Sequence, residues 1–129
     1  MYTDELIPNM LSLAKKMALQ SEGEYRLGSV LVKSGRVLAK GVNKYNAINA
    51  LAWKFFGYQT IHAEIDAMNK IWDKRNIKGS VLYVFRTRKN GEPGNSRPCV
   101  RCQNALKTLG VHKIVYSIPD YPYFNVEKV

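Results

Sequence analysis

Cysteine is nearly missing from this chain, which carries two among its 129 residues, and both fall within Cys99–Cys102. A pair so close in sequence cannot staple a fold. That excludes a disulfide framework and leaves apolar burial to hold the core, which a chain of this length can do as one domain over residues 1–129. Long apolar runs are missing too. Nothing approaches the roughly 20 consecutive apolar residues of a membrane span, and Met1-Tyr2-Thr3-Asp4-Glu5 places acids where a secretory leader has basic residues. No membrane partner is expected, and reduced cysteines point to a cytoplasmic, reducing location. Acids are scarce: 10 Asp and Glu stand against 20 Lys and Arg, for a net charge of +10. Such a balance suits a polyanionic, phosphate-bearing substrate or partner. The basic residues are nevertheless scattered from Lys15 to Lys128 without a dense block, so most of them read as solvated surface.

What is present concentrates in two short stretches. Thr60-Ile61-His62-Ala63-Glu64-Ile65 holds one of the two histidines two positions before a glutamate, and Ser96-Arg97-Pro98-Cys99-Val100-Arg101-Cys102 holds both cysteines behind a proline. His62, Cys99 and Cys102 make three ligands of the type zinc prefers. Three protein ligands leave the fourth tetrahedral position open, which distinguishes a catalytic zinc from a structural one. Bound zinc lowers the pKa of a water to about 7, and Glu64 is placed to carry the proton. Taken singly these residues have plainer explanations, His62 as an ordinary histidine and the cysteines as small buried hydrophobes. A closed structural site would need His112 as its second histidine, and an all-cysteine site would need a second chain.

His62-Ala63-Glu64 followed by Pro98-Cys99-Val100-Arg101-Cys102 resembles the signature of the zinc-dependent cytidine and deoxycytidylate deaminase superfamily, and the resemblance runs from about Gly28 to Tyr116. It implies a three-layer α/β/α cytidine deaminase-like fold with a mixed central sheet of about five strands. It also implies hydrolytic deamination with one zinc per chain and no organic cofactor. Glu64 would move protons to the ring nitrogen and the leaving ammonia. Asn43 would touch the substrate sugar, while the backbone N–H of Ala63 and the backbone carbonyl of Arg97 would touch the base. A homo-oligomer is implied as well.

Along the chain, Met10, Leu11, Leu13, Ala14, Met17 and Ala18 form a helical stripe from about Pro8 to Gln20, with Thr3 as a possible cap. Leu27 to Lys33 and Arg36 to Gly41 read as a hairpin about Ser34-Gly35. Asn43 after it is also a common turn residue. Lys44 to Tyr58 crowds Tyr45, Trp53, Phe55 and Phe56 together, as inward packing or as a stacking surface for bases. Ile61, Ile65, Met68 and Ile71 predict a helix that starts at the zinc histidine. Val81 to Phe85 suits a strand covered on both faces. Arg86 to Arg97 reads either as a solvated loop or as a phosphate clamp of Arg86, Arg88, Lys89 and Arg97. Pro98 suits a helix start, Gly110 its end, and Val111 to Ser117 a further strand.

The tail, Ile118 to Val129, is too short for a crossover to a parallel strand, so Pro119-Asp120-Tyr121-Pro122 reads as a turn and Tyr123 to Val129 as an antiparallel last strand. That arrangement resembles the free-nucleoside deaminases. Of Tyr121 and Tyr123, one is expected to stack on the base and the other to pack on the sheet. Three functions compete. The favoured one is a deaminase of cytosine in a free nucleotide or nucleoside such as dCMP, as a bare domain without a low-complexity arm suggests. The others are a polynucleotide deaminase, acting on tRNA adenosine or single-stranded cytosine, and a non-catalytic zinc-stabilised binding module.

Overall fold

The computed structural model describes residues 6–21, 26–44 and 62–129. Helix α1 (Leu6–Leu19) buries Ile7, Leu11, Ala14 and Ala18, a spacing that keeps them on one face. It takes in Pro8, which the sequence reading placed at its start. Within the first turn the missing N–H breaks no bond, because the first four N–H groups have no intrahelical acceptor. Thr3 and the aromatic cluster of 45–58 lie outside the described residues.

Strands β1 (Arg26–Lys33) and β2 (Arg36–Val42) form the expected hairpin. Ser34 and Gly35 both have positive φ, 52° and 76°, the pairing that lets a two-residue turn follow the twist of its strands. Helix α2 (Ala63–Asn69) follows, then a 3₁₀ turn at Lys74–Ile77 and strand β3 (Val81–Thr87). The two-residue strand β4 (Pro93–Gly94), helix α3 (Val100–Leu109), β5 (Lys113–Ser117) and β6 (Phe124–Lys128) complete the chain.

The sheet runs β2-β1-β3-β5-β6, with β4 beside the end of β3. Only β3 and β5 are parallel; the other pairs, including β5 with β6, are antiparallel. The antiparallel last strand is therefore as expected. The sheet has six strands rather than about five because the basic loop is a hairpin in its own right. Gly91, at φ 83°, turns the chain so that Arg88 N–H reaches the Glu92 carbonyl at 2.9 Å, and Gly94 then pairs with Arg86.

Strand alternation separates two cores. Leu31, Leu82, Val84, Ile114 and Tyr116 face α2 and α3, whereas Val30, Val32, Tyr83, Phe85 and Val115 face α1. The unbroken apolar run of β3 follows from burial on both sides. Ile71 lies past the end of α2 but stays in the core. No helix among the described residues is long and apolar enough to cross a membrane.

Candidate metal centre and active site

His62 and Cys99 are both N-cap residues with extended backbones, φ −76° and ψ 152° for the first, φ −67° and ψ 167° for the second. His62 stands one position before the helix it was expected to begin, and the helix expected to start at Pro98 starts at Val100, with Pro98 outside α3. Cys102 sits one turn into α3, where its N–H points at Cys99 Sγ at 3.5 Å. Gln103 Nε2 donates to the Pro98 carbonyl at 2.8 Å, tying this turn back to the residue before the cap.

The arrangement places His62 Nδ1 3.3 Å from Cys102 Sγ and 3.9 Å from Cys99 Sγ. All three donor atoms lie within 4.8 Å of one another. Zn–N near 2.0 Å and Zn–S near 2.3 Å in a tetrahedron put donors about 3.5–3.8 Å apart. The triad fits one zinc. Without a metal, the hydrogen bond from Cys102 pulls the Cys99 thiol down to about 5. The Cys102 thiol is pushed up by Cys99 and by its own burial.

Glu64 is buried in the first turn of α2, and its Oε1 has no hydrogen-bond partner among the described residues. Burial raises its carboxyl above the usual range, and the charge of His62 opposes this. A buried carboxylate oxygen without a partner is costly unless a ligand, metal-held water or proton completes it.

The first residue of α2 is clamped from both sides. Asn43 Oδ1 accepts the Ala63 N–H at 2.8 Å, and Ser29 Oγ donates to the Ala63 carbonyl at 2.7 Å. Two residues expected to contact substrate thus bond to each other. Asp66, buried, accepts the Val42 N–H at 3.0 Å and pairs with Lys44 at 3.1 Å and Lys70 at 3.5 Å. Ser29 and Asp66 were missed in the sequence. A lone serine within a valine- and leucine-rich strand, and an aspartate four positions after the histidine, were their available signals.

The remaining expectations fare differently. Arg97 lays its fork on Glu127, Nε at 2.8 Å and Nη2 at 3.1 Å, and holds that carboxyl below its usual range. Arg88 pairs with Glu92 at 2.9 Å. A four-residue phosphate clamp is therefore corrected: two of its members are committed to carboxylates of their own chain. Tyr121 and Tyr123 are 85% and 51% exposed and meet edge to face at 5.9 Å. Neither ring packs into the sheet, because Tyr123 turns out of the strand at φ 73°. His112 precedes β5 and lines a cavity of about 440 Å³ with Ser34, Gly79 and Val81. That is the opposite end of the sheet from the triad, so a closed two-cysteine, two-histidine site is excluded.

Sheet, helices and donor set are those of a cytidine deaminase-like metal site. The chain belongs to the family described as the cytidine and deoxycytidylate deaminase zinc-binding region, which it matches over residues 1–118. It is 26% identical over 111 residues to a tRNA-specific adenosine deaminase of Aquifex aeolicus (strain VF5), a match covering 84% of this chain and 62% of that protein. The chain thus spans less than two thirds of this relative's length. Its fold is shared with the dCMP deaminase of cyanophage S-TIM5, at TM-score 0.65 and 23% identity over 91% of this chain and 86% of that one. The cytidine deaminase of Mycobacterium leprae gives TM-score 0.59 at 20% identity, covering 97% and 94%.

Proposed function

We propose that this protein is a zinc-dependent hydrolytic deaminase of a nucleobase, with cytosine in a free nucleotide or nucleoside such as dCMP as substrate. The observation that carries the reading is the buried, unpartnered Oε1 of Glu64 beside the donor triad. His62 Nδ1, Cys99 Sγ and Cys102 Sγ would hold the metal, which supplies Lewis acidity that brings a water to a pKa of about 7. Glu64 accepts that water's proton at a carboxyl whose burial raises its affinity for it. The hydroxide left behind would add to the carbon that bears the amine as Glu64 hands the first proton to the ring nitrogen. Glu64 would then take the proton of the new hydroxyl group and pass it to the amine, so that the C–N bond breaks, ammonia leaves and a carbonyl remains. Asn43, at the mouth of α2, orients the sugar and also holds the Ala63 N–H that was expected to meet the base, and the exposed Tyr121 or Tyr123 offers a face for stacking. The Arg97 side chain is engaged elsewhere, so its part falls to its backbone carbonyl.

The antiparallel pairing of β5 and β6 supports a small substrate, since it resembles the free-nucleoside branch of the superfamily. A second reading, deamination of a polynucleotide, is favoured by the tRNA-specific adenosine deaminase relative and by the +10 charge. A homo-oligomer, which the resemblance implies, belongs to the reading; a monomer by light scattering at micromolar concentration would remove that part. Ammonia release from zinc-loaded protein, measured over a panel of nucleosides, nucleotides and oligonucleotides, tests the whole. Release from free cytosine nucleotides, abolished in Glu64→Gln, is the expected result. No release from any base would overturn it.

A further inference from the structure

Trp72 is 99% exposed. An indole in that state buries nothing, although tryptophan is among the residues most often enclosed in a fold or an interface. Its surroundings are basic. Lys70, Lys74, Arg75 and Lys78 lie within six positions of it along the chain; Lys70 pairs with Asp66 at 3.5 Å and Arg75 with Asp73 at 2.8 Å, and Lys74 and Lys78 stand outside these pairs. Lys33 is brought in from the β1–β2 turn, its Nζ 3.3 Å from the Asn76 carbonyl. Lys70 Nζ meets the Lys40 carbonyl at 2.7 Å, and Lys74 Nζ meets the carbonyls of Asn69 and Ile71. Bonds to neutral carbonyls leave the ammonium charges in place, and each ammonium has three donors. Lys33, Lys74 and Lys78 thus keep their charge near one bare aromatic plane, while Lys70 and Arg75 are held by the carboxylates of Asp66 and Asp73.

We infer that this surface, around the exposed Trp72, docks single-stranded nucleic acid, with an unstacked base on the indole and phosphates on the cations. Aromatic faces set in a basic groove are how such strands are held without sequence preference. Of the described carboxylates, Glu64 is buried, and Asp66, Asp73, Glu92 and Glu127 pair with cations of their own chain, so among the described residues little acid is left to meet this surface from a second copy. The surface is also separate from the metal centre. Helix α2 is seven residues long and puts about 10 Å between His62 and its far end. The inference does not rest on which base reacts at the triad.

The test is fluorescence anisotropy with a labelled oligothymidylate, alongside quenching of tryptophan emission. Trp72→Ala, a change at a fully exposed side chain, is expected to weaken binding about five- to hundred-fold, as loss of one base–aromatic stack does, and to abolish most of the quenching. Lys33→Gln should lower the salt dependence of log K by about 0.7, one phosphate contact on a single strand. Ammonia release from a mononucleotide should be the same in both variants as in wild type, so failure of the active-site reading would show separately. Unchanged oligonucleotide affinity in Trp72→Ala would overturn the inference. So would conversion of a dimer to a monomer by that substitution, which would make the surface a contact between copies.

Discussion

Gly41 is where β2 touches the helix that carries the site, and adding one methyl group there tests how the metal centre is held. A Cβ at this position would stand 2.2 Å from the Ala63 carbonyl oxygen and 2.5 Å from the Ala67 N. Both are backbone atoms of α2, so no side-chain rotation relieves the clash; the helix must move out by on the order of 1 Å to restore ordinary contact. That shift pulls on the Ser29 bond to the Ala63 carbonyl and the Val42 bond to Asp66. Two bonds at about 0.5–1.5 kcal/mol each, added to about 1–3 kcal/mol of overpacking, give a destabilisation of about 2–6 kcal/mol. A typical domain has about 5–15 kcal/mol in all, so Gly41→Ala should fold but melt early.

The consequence for chemistry is separable from that loss. His62 caps α2 while Cys99 and Cys102 belong to α3, so moving one helix stretches the triad and should lower zinc affinity. Misplacement of about 1 Å at Glu64 should in addition cut turnover by ~100-fold. Gly28→Ala provides the comparison. Its Cβ would meet the Ala14 carbonyl at 2.2 Å and the Ala18 N at 2.3 Å, a clash just as severe, but against α1, which carries no site residue. Urea denaturation should show similar losses for both variants, whereas zinc titration and ammonia release in the folded fraction should fail only for Gly41→Ala. Equal zinc affinity and turnover in the two would refute the reasoning that β2 sets the position of the site.

Glu64→Gln keeps shape and zinc, because the residue is not a ligand, and should lower ammonia release by about 10²–10⁴-fold, with metal content unchanged by elemental analysis. Cys102→Ser should bind less than one zinc per chain, and chelation of the wild type should lower Tm, by the equivalent of about 2.7 kcal/mol if zinc had stood at 100 times its Kd; a chelator without effect on Tm would count against metal-coupled folding. Ser117→Ala removes a buried hydroxyl that donates to the Gly94 carbonyl at 2.7 Å and accepts from the Arg86 N–H at 3.0 Å. It should cost about 1–3 kcal/mol in the urea midpoint while leaving the zinc ligands in place.

The elements with regular patterns were legible. The stripe of α1, the hairpin about Ser34-Gly35, the doubly covered β3 and the antiparallel return of the tail all follow from local periodicity and turn chemistry. The metal triad was legible for another reason: the residue types are few and their spacings specific. What could not be read is everything that depends on which polar groups meet across elements. The hairpin within Arg86 to Arg97 exists because Ser117, twenty-three positions on, accepts the job of binding Gly94, and Ser96 Oγ at the same time donates to the Val84 carbonyl at 3.0 Å. Arg97 looked available for a phosphate because Glu127, its partner, lies thirty positions away. Trp72 drew no reading of its own, since exposure is decided by where a helix stops and α2 stops at Asn69.

The placement of the ligands at caps, rather than within the helices, explains why so small a scaffold can bring them together. An N-cap residue is half outside its helix, so its side chain lies over the helix end instead of along the flank. With His62 over the end of α2 and Cys99 over the end of α3, two helices on one face of the sheet need only point their first turns at each other for the donors to meet. Cys99 serves twice, since the Sγ that faces His62 also accepts the Cys102 N–H. The backbone bond that starts α3 thereby fixes the spacing of the two sulfurs. On the other side Asn43 does the equivalent for α2 by accepting the Ala63 N–H that His62, whose side chain makes no cap bond, leaves unmet. Helix initiation and ligand geometry are one set of contacts here, and this is why β2 and the loop before Cys99, neither of which supplies a ligand, control the centre.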